Sequence, residues 1–199
     1  MSKGRLEAFS DGVVAILSTI MVLELKVPHD ASLAALAELW PVFLSYVLSF
    51  VSPGIYWSNH HHMIQAAKVV DGRVLWANLN LLFWLSLFPF GTAWMGENSF
   101  APIPTAVYGL SLLLAAVAYS ILLRTLITTP GQPETLAAAI GSDLKGRLSL
   151  GVYLVAIPIA LVAPLAALAL YIGIAAAWFI PDRRMERALG RQVGPEPRG

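Results

Sequence analysis

The residues able to do chemistry in this chain are few, and they gather at three places. Near the N-terminus stands Arg5-Leu-Glu-Ala-Phe9-Ser10-Asp11-Gly12, with a guanidinium, two carboxylates and a hydroxyl in two helical turns. At 57–64 comes Trp57-Ser-Asn59-His60-His61-His62-Met63-Ile64. A third set, Glu24, Asp30, Glu38 and Glu97, surrounds the single cation Lys26, with His29 nearby. Three consecutive histidines invite a metal site, but the spacing argues against one. Two histidines on a helix share a metal at i, i+3 or i, i+4, whereas consecutive side chains fan apart by ~100°. There is no cysteine to complete a ligand set. The spacing instead pairs Trp57 with His60 or His61 on one helix face. Ser10 and Asp11 are also residue types that cap a helix start. Arg5, Ser10 and Asp11 meeting the histidines would form a buried pair with polar partners, which satisfies groups otherwise costly in an apolar setting. No metal-ligand set or nucleophile–base arrangement accompanies them, so an enzyme is disfavoured.

The elements that hold these residues follow from composition. The chain has 199 residues, of which 57% are hydrophobic and 13% charged. A soluble domain carries ~25% charged residues, so soluble enzyme classes are set aside. The net charge of +1 gives no reason to expect nucleic acid as a partner. A spanning helix needs roughly 20 apolar residues. Windows free of Asp, Glu, Lys and Arg run over Leu39–Ala67, Val74–Gly96, Asn98–Leu123 and Leu148–Pro181. The last is long enough for two short spans, divided by a turn at Val162-Ala163-Pro164. A helix over about residues 5–26 brings the expectation to six. A cleaved signal peptide fits that segment poorly, because Glu7 and Asp11 spoil a basic start.

With six spans, 12 of the 13 Lys and Arg fall on the side of the two termini, and Lys26 alone on the other. The positive-inside rule then places both termini in the cytoplasm, as for a multi-pass protein of the inner (plasma) membrane. Residues 1–181 form the membrane domain in this reading, and 182–199 a basic tail expected to be disordered. Asn78 and Asn80 need hydrogen-bond partners and should face protein, and Pro89 is positioned to kink the third span.

The first helix carries an apolar stripe, Phe9, Val13, Ile16, Ile20 and Leu23, at helical spacing, with Thr19 beside it. Packing against lipid or core is the ordinary fate of such a stripe. A helix bracketed by Asp11 and Glu24 suits a central position better. Repeated around a symmetry axis, the stripe would form a hydrophobic constriction that gates by dewetting. Glu24 and its acidic neighbours would form an outer vestibule that concentrates cations. The competing reading is a proton- or ion-coupled secondary transporter. Its midplane coupling site is hard to place, because the span middles hold no ionisable residue.

Arg5-x-x-x-Phe9-Ser10-Asp11 resembles the Arg-x-x-x-Phe-Ser-Asp motif of the transmembrane protein 175 potassium-channel family, in its short, single-repeat prokaryotic branch. Trp57-x-Asn59-His60-His61-His62 and Asn78…Pro89-Phe90-x-Thr92 are similar to that family's second and third helices, with Ile64 where relatives often have Phe. The resemblance covers the first half of the chain. It implies an all-α membrane protein of six helices per chain, assembling as a homotetramer around a pore lined by the first helices. It implies a potassium-permeable channel that is not voltage-gated, with K+ as the permeant ion and no cofactor. Ile16, Ile20 and Leu23 would be the pore-facing layers, with Ile16 narrowest and Thr19 linked to selectivity. Arg5, Phe9, Ser10, Asp11, Trp57, His60 and His61 would form the inner packing network. No Thr-Val-Gly-Tyr-Gly-type loop is present, so a filter of stacked carbonyls is not available. Selectivity for K+ over Na+ is expected to be modest.

Overall fold

The structure, a computed structural model, describes residues 2–23, 25–28, 30–133 and 143–179. All secondary structure among them is helical: α1 (Lys3–Leu23), α2 (Leu33–Glu38), α3 (Trp40–Ala66), α4 (Gly72–Ser86), α5 (Phe88–Glu97), α6 (Pro102–Thr128), α7 (Leu144–Val162) and α8 (Pro164–Phe179). Glu24, His29 and the tail after residue 181 lie outside the described residues.

Local chemistry sets the boundaries. Ser32 caps α2 by accepting from the Ala35 N–H, and Asp71 caps α4 by accepting from Val74 N–H at 3.0 Å. Such side-chain caps satisfy donors that the first helical turn leaves free. Pro41, Pro89 and Pro164 lie in first turns, where a missing N–H costs nothing. The long apolar window 148–181 does divide at Ala163, between α7 and α8. The third span breaks at Leu87, two residues before Pro89, rather than at the proline itself. Pro89 has no N–H to offer the Leu85 carbonyl, so the ladder fails in the turn before it. Between α5 and α6 the chain turns through Ser99 and Phe100, both at positive φ. Phe100 tolerates this because it is buried against Trp40, with ring centroids 5.4 Å apart.

The core is centred on α6, fourteen of whose 27 residues are buried. Its length is about 40 Å at 1.5 Å per residue, and it packs against α4, α5, α7 and α8. By contrast α1 sits at the edge of the bundle against α3, with lesser contact to α4 and α5. Only Leu6, Ser10, Leu17 and Met21 of α1 are buried.

Four segments are long and apolar enough to cross a membrane by length and composition: Lys3–Leu23, Gly72–Glu97, Pro102–Thr128 and Leu144–Val162. The expectation of six is thus met only in part. The 27 residues of α3 are long enough, but serines, prolines and the polar stretch at its C-terminal end hold its hydropathy down. At 16 residues, about 24 Å, α8 falls short of a ~30 Å hydrocarbon core.

Candidate functional site

The first helix has two unlike faces. Leu6, Ser10, Leu17 and Met21, at i, i+4, i+11 and i+15, pack into their own chain. The other side carries Phe9, Ile16, Ile20 and Leu23, which are 51, 59, 40 and 81% exposed. Arg5, Asp11, Gly12 and Thr19 are exposed with them. Of the expected stripe only Val13 leans into the core. The Thr19 hydroxyl donates to the Ile16 carbonyl at 2.9 Å, which leaves its oxygen lone pairs facing outward. A Cβ on Gly12 would meet nothing within 4 Å, so this face is clear of any neighbour within the chain.

At one end of α1 two polar clusters tie it to α3 and α4. The first is buried. The Asn78 amide donates to Ser10 Oγ at 2.9 Å, and its Oδ1 lies 2.7 Å from His60 Nε2. Ser10 in turn donates to the Leu6 carbonyl. Because the Asn78 oxygen can only accept, His60 Nε2 carries the proton here. The chain of donors therefore runs His60 to Asn78 to Ser10 to Leu6, joining three helices, and every member side chain is at least 95% buried. The second cluster is exposed. Trp57 Nε1 donates to Asp11 Oδ1 at 2.8 Å, and the His61 ring stacks on Trp57 with centroids 6.2 Å apart and planes at 25°.

The expected residues thus divide. The structure brings Ser10 to His60 and Asp11 to Trp57 and His61, but in separate clusters. The anticipated buried Arg5–Asp11 pair is not formed. Both residues are exposed, and among the described residues no ion pair joins them. Phe9 faces outward from the network rather than into it. His60 Nε2 is committed to Asn78, which leaves the histidine run poorly arranged to share a metal. Among the described residues no group of three His, Cys, Asp or Glu converges as a metal site.

Asn78 is the hub that sequence reasoning did not place in the network, although it was recognised as a residue in need of partners. Asn80 instead accepts from Trp84 Nε1, one turn along its own helix. A second omission is the stripe Ser45, Ser49 and Ser52 on α3, at i, i+4 and i+7, all buried. Ser49 accepts from Thr92 at 2.7 Å, and Ser52 pairs with the Tyr108 hydroxyl at 3.3 Å. Small hydroxyls let helices approach and bond across them. Their helical period was the available signal. On the opposite end of the bundle Lys26 pairs with Glu97 at 2.8 Å, so one of the acidic vestibule groups is neutralised within the chain.

Comparison with known proteins places this architecture. The family model described as the endosomal/lysosomal potassium channel TMEM175 matches residues 5–89, which hold both clusters. The chain is 50% identical over 189 residues to a potassium channel of Chryseobacterium sp. strain P1-3, covering 95% of this chain and 98% of that one. It is 36% identical over 127 residues to a potassium channel of Streptomyces collinus, covering 60% of this chain and 62% of that one. Its fold superposes, with a TM-score of 0.80 and 29% identity, on a crystal structure described as a lysosomal potassium-selective channel TMEM175 homolog from Chamaesiphon minutus, covering 92% of this chain and 97% of that one. These are membrane channels rather than enzymes by description, and the likeness spans nearly the whole chain. The chain belongs to the TMEM175 family.

Proposed function

We propose that this protein is a potassium-permeable channel in which several copies, four by analogy with the family, surround a pore lined by α1. The observation that carries the reading is the two-faced first helix. Leu6, Ser10, Leu17 and Met21 anchor it to its own subunit, while Ile16, Thr19, Ile20 and Leu23 face away from it. Lipid would accept the isoleucines, but it is a poor neighbour for Arg5 and Thr19 on the same exposed side. A single subunit encloses no pore along α1, so assembly is required. The high identity to proteins named potassium channels supports K+ as the permeant ion.

In this assembly Ile16, Ile20 and Leu23 form stacked apolar rings that exclude water when narrow. Ile16, near mid-helix, is the narrowest. Thr19 adds a ring of hydroxyl oxygens whose protons are already given to the Ile16 carbonyl, leaving lone pairs for a partly dehydrated cation. A flexible hydroxyl ring discriminates less than a rigid carbonyl filter, which makes selectivity for K+ over Na+ modest. Span middles free of Arg and Lys leave no charge to sense voltage. The two inner clusters hold α1 at the angle that presents its apolar face. Glu24, with Asp30 and Glu38, attracts cations at the outer mouth. The chain crosses the plasma membrane six times, with α4 and α5 forming one broken span and α3 and α8 the two less apolar ones, and both termini cytoplasmic.

Reconstitution into vesicles tests this. The purified protein has the mass of a homotetramer and passes K+ faster than Na+, and Ile16→Asn or Leu23→Ala raises K+ flux. A strict monomer without flux would sink the channel reading, and unchanged flux in every such variant would remove the hydrophobic gate.

A further inference from the structure

One hydroxyl of the α3 serine stripe has no partner within the fold. Among the described residues Ser45 Oγ makes no hydrogen bond, although Ser45 is only 2% exposed. Ser18, Ser111 and Ser120 each donate to the carbonyl one helical turn back, which Ser45 does not. The large majority of buried hydroxyls are satisfied, by protein or by ordered water. On one side the Ser45 hydroxyl sits against the backbone of α5 at Gly96, where an added Cβ would stand 2.7 Å from Oγ. On another it faces a crevice between α1, α3 and α5, at the Glu97 end of the bundle.

The crevice has about 20 Å³ of room for water. One water needs roughly 10–15 Å³ measured in this way, so a water fits and a hydrated ion does not. Ser49 lines the crevice beside Ser45. The two are four residues apart on α3, which sets their Cβ atoms ~5–6 Å apart on one helix face. Two O–H···O bonds of ~2.8 Å, meeting at one molecule, span that gap. Ser49 accepts from Thr92 at 2.7 Å, so it still has a proton to give. A bare cation would take the lone pairs of Ser45 and leave its proton without an acceptor. Glu97, the one carboxylate in the wall, is already paired with Lys26 at 2.8 Å and offers little charge to hold such an ion. A water accepts and donates together, which is what these groups require.

We propose that one ordered water is a fixed part of this subunit, bound behind α1 between the Ser45 and Ser49 hydroxyls. It accepts from the Ser45 hydroxyl, and its remaining capacity serves Ser49 and the lone pairs of Glu97. Met21 and Leu25 cover the site from the α1 side with apolar side chains. The Met21 end of α1 therefore rests on a hydrated joint, whereas its other end is fastened directly through Ser10 and Asp11. Met21 lies on the buried face of α1, away from exposed Ile16 and Ile20. The site is thus independent of the pore, and its failure would leave the channel reading untouched.

Radiolytic footprinting of the full chain in detergent tests the site. A short X-ray pulse turns bound water into hydroxyl radicals, which oxidise the nearest methionine to its sulfoxide, read by mass spectrometry. Three methionines are equally hidden from bulk solvent: Met21 is 2% exposed, and Met63 and Met95 are each 0% exposed. Met21 alone of these lines the crevice. It is expected to be oxidised several-fold more than the other two, and Ser45→Val, which fills the crevice and removes the hydroxyl, should bring it down to their level. Radicals made from peroxide in bulk solvent should spare all three. Met21 oxidised no more than Met63 and Met95, labelling unchanged in S45V, or equal labelling by bulk radicals would each overturn the site. So would labelling that disappears when K+ or Na+ replaces choline, since a cation would then be the occupant. The comparison of the three methionines in the parent protein decides the matter even where S45V fails to fold.

Discussion

Replacing Asn78 with Leu removes the hub of the buried cluster while keeping the side chain's approximate volume. Two bonds are lost, the 2.9 Å bond to Ser10 and the 2.7 Å bond to His60. Interhelical hydrogen bonds within membrane bundles contribute about 0.6 kcal/mol on average and up to about 1.7. Ser10 keeps its bond to the Leu6 carbonyl, so little is stranded there. His60 fares worse. At 5% exposure its Nε2–H loses its protein partner in a nearly buried position, a penalty of about 1–3 kcal/mol. Together these place the N78L loss at about 2–3 kcal/mol. The assay is equilibrium unfolding in mixed micelles, followed by tryptophan fluorescence. His60→Leu in the N78L background should then cost far less than in the parent, because the stranded donor has gone, giving a coupling of about 1 kcal/mol or more. An N78L variant within about 0.5 kcal/mol of the parent, or strict additivity with H60L, would refute the hydrogen-bonded hub.

Three further outcomes follow from other contacts. A Cβ on Gly109 would collide with the Tyr171 ring, so Gly109→Ala should destabilise by about 1–3 kcal/mol, read as a lowered melting temperature. The Asp71 carboxyl is held below the ordinary carboxylate range, chiefly by the Val74 N–H and then by Arg73. Its contribution to the start of α4 is therefore complete above that range and is lost as pH falls through the depressed value. Stability measured on acidification below about pH 4 should fall more steeply in the parent than in Asp71→Asn, which caps without titrating. Lys26→Ala should change stability by less than about 1 kcal/mol and lose even that in high salt, since the pair with Glu97 is exposed.

Much of the architecture was legible because hydropathy and proline placement are local signals. The division of 148–181 at Ala163 and the break ahead of Pro89 both follow from backbone groups that proline removes or restricts. The partner of His60 was not legible. Asn78 lies 18 residues away on another helix, and its register depends on how α3 and α4 pack. The Arg5–Asp11 pair was expected from charge and proximity in sequence. Within one subunit, however, the face that packs is occupied by Leu6, Ser10, Leu17 and Met21, which turns both charges outward. The serine stripe of α3 was legible by period and is easily passed over, because single serines in a span attract no notice beside three histidines.

In the proposed channel the exposed face of α1 lines a water-filled path. The chain contains no cysteine, so single cysteines can be introduced without background. Placed at Ile16, Ile20 or Leu23, and at Val117 as an exposed position on another helix, they can be treated with a charged, membrane-impermeant thiol reagent while K+ flux is recorded. Reaction and block of flux are expected at the three α1 positions, with no effect at Val117. Flux untouched by the reagent at all three α1 positions, in channels that still conduct, would contradict it.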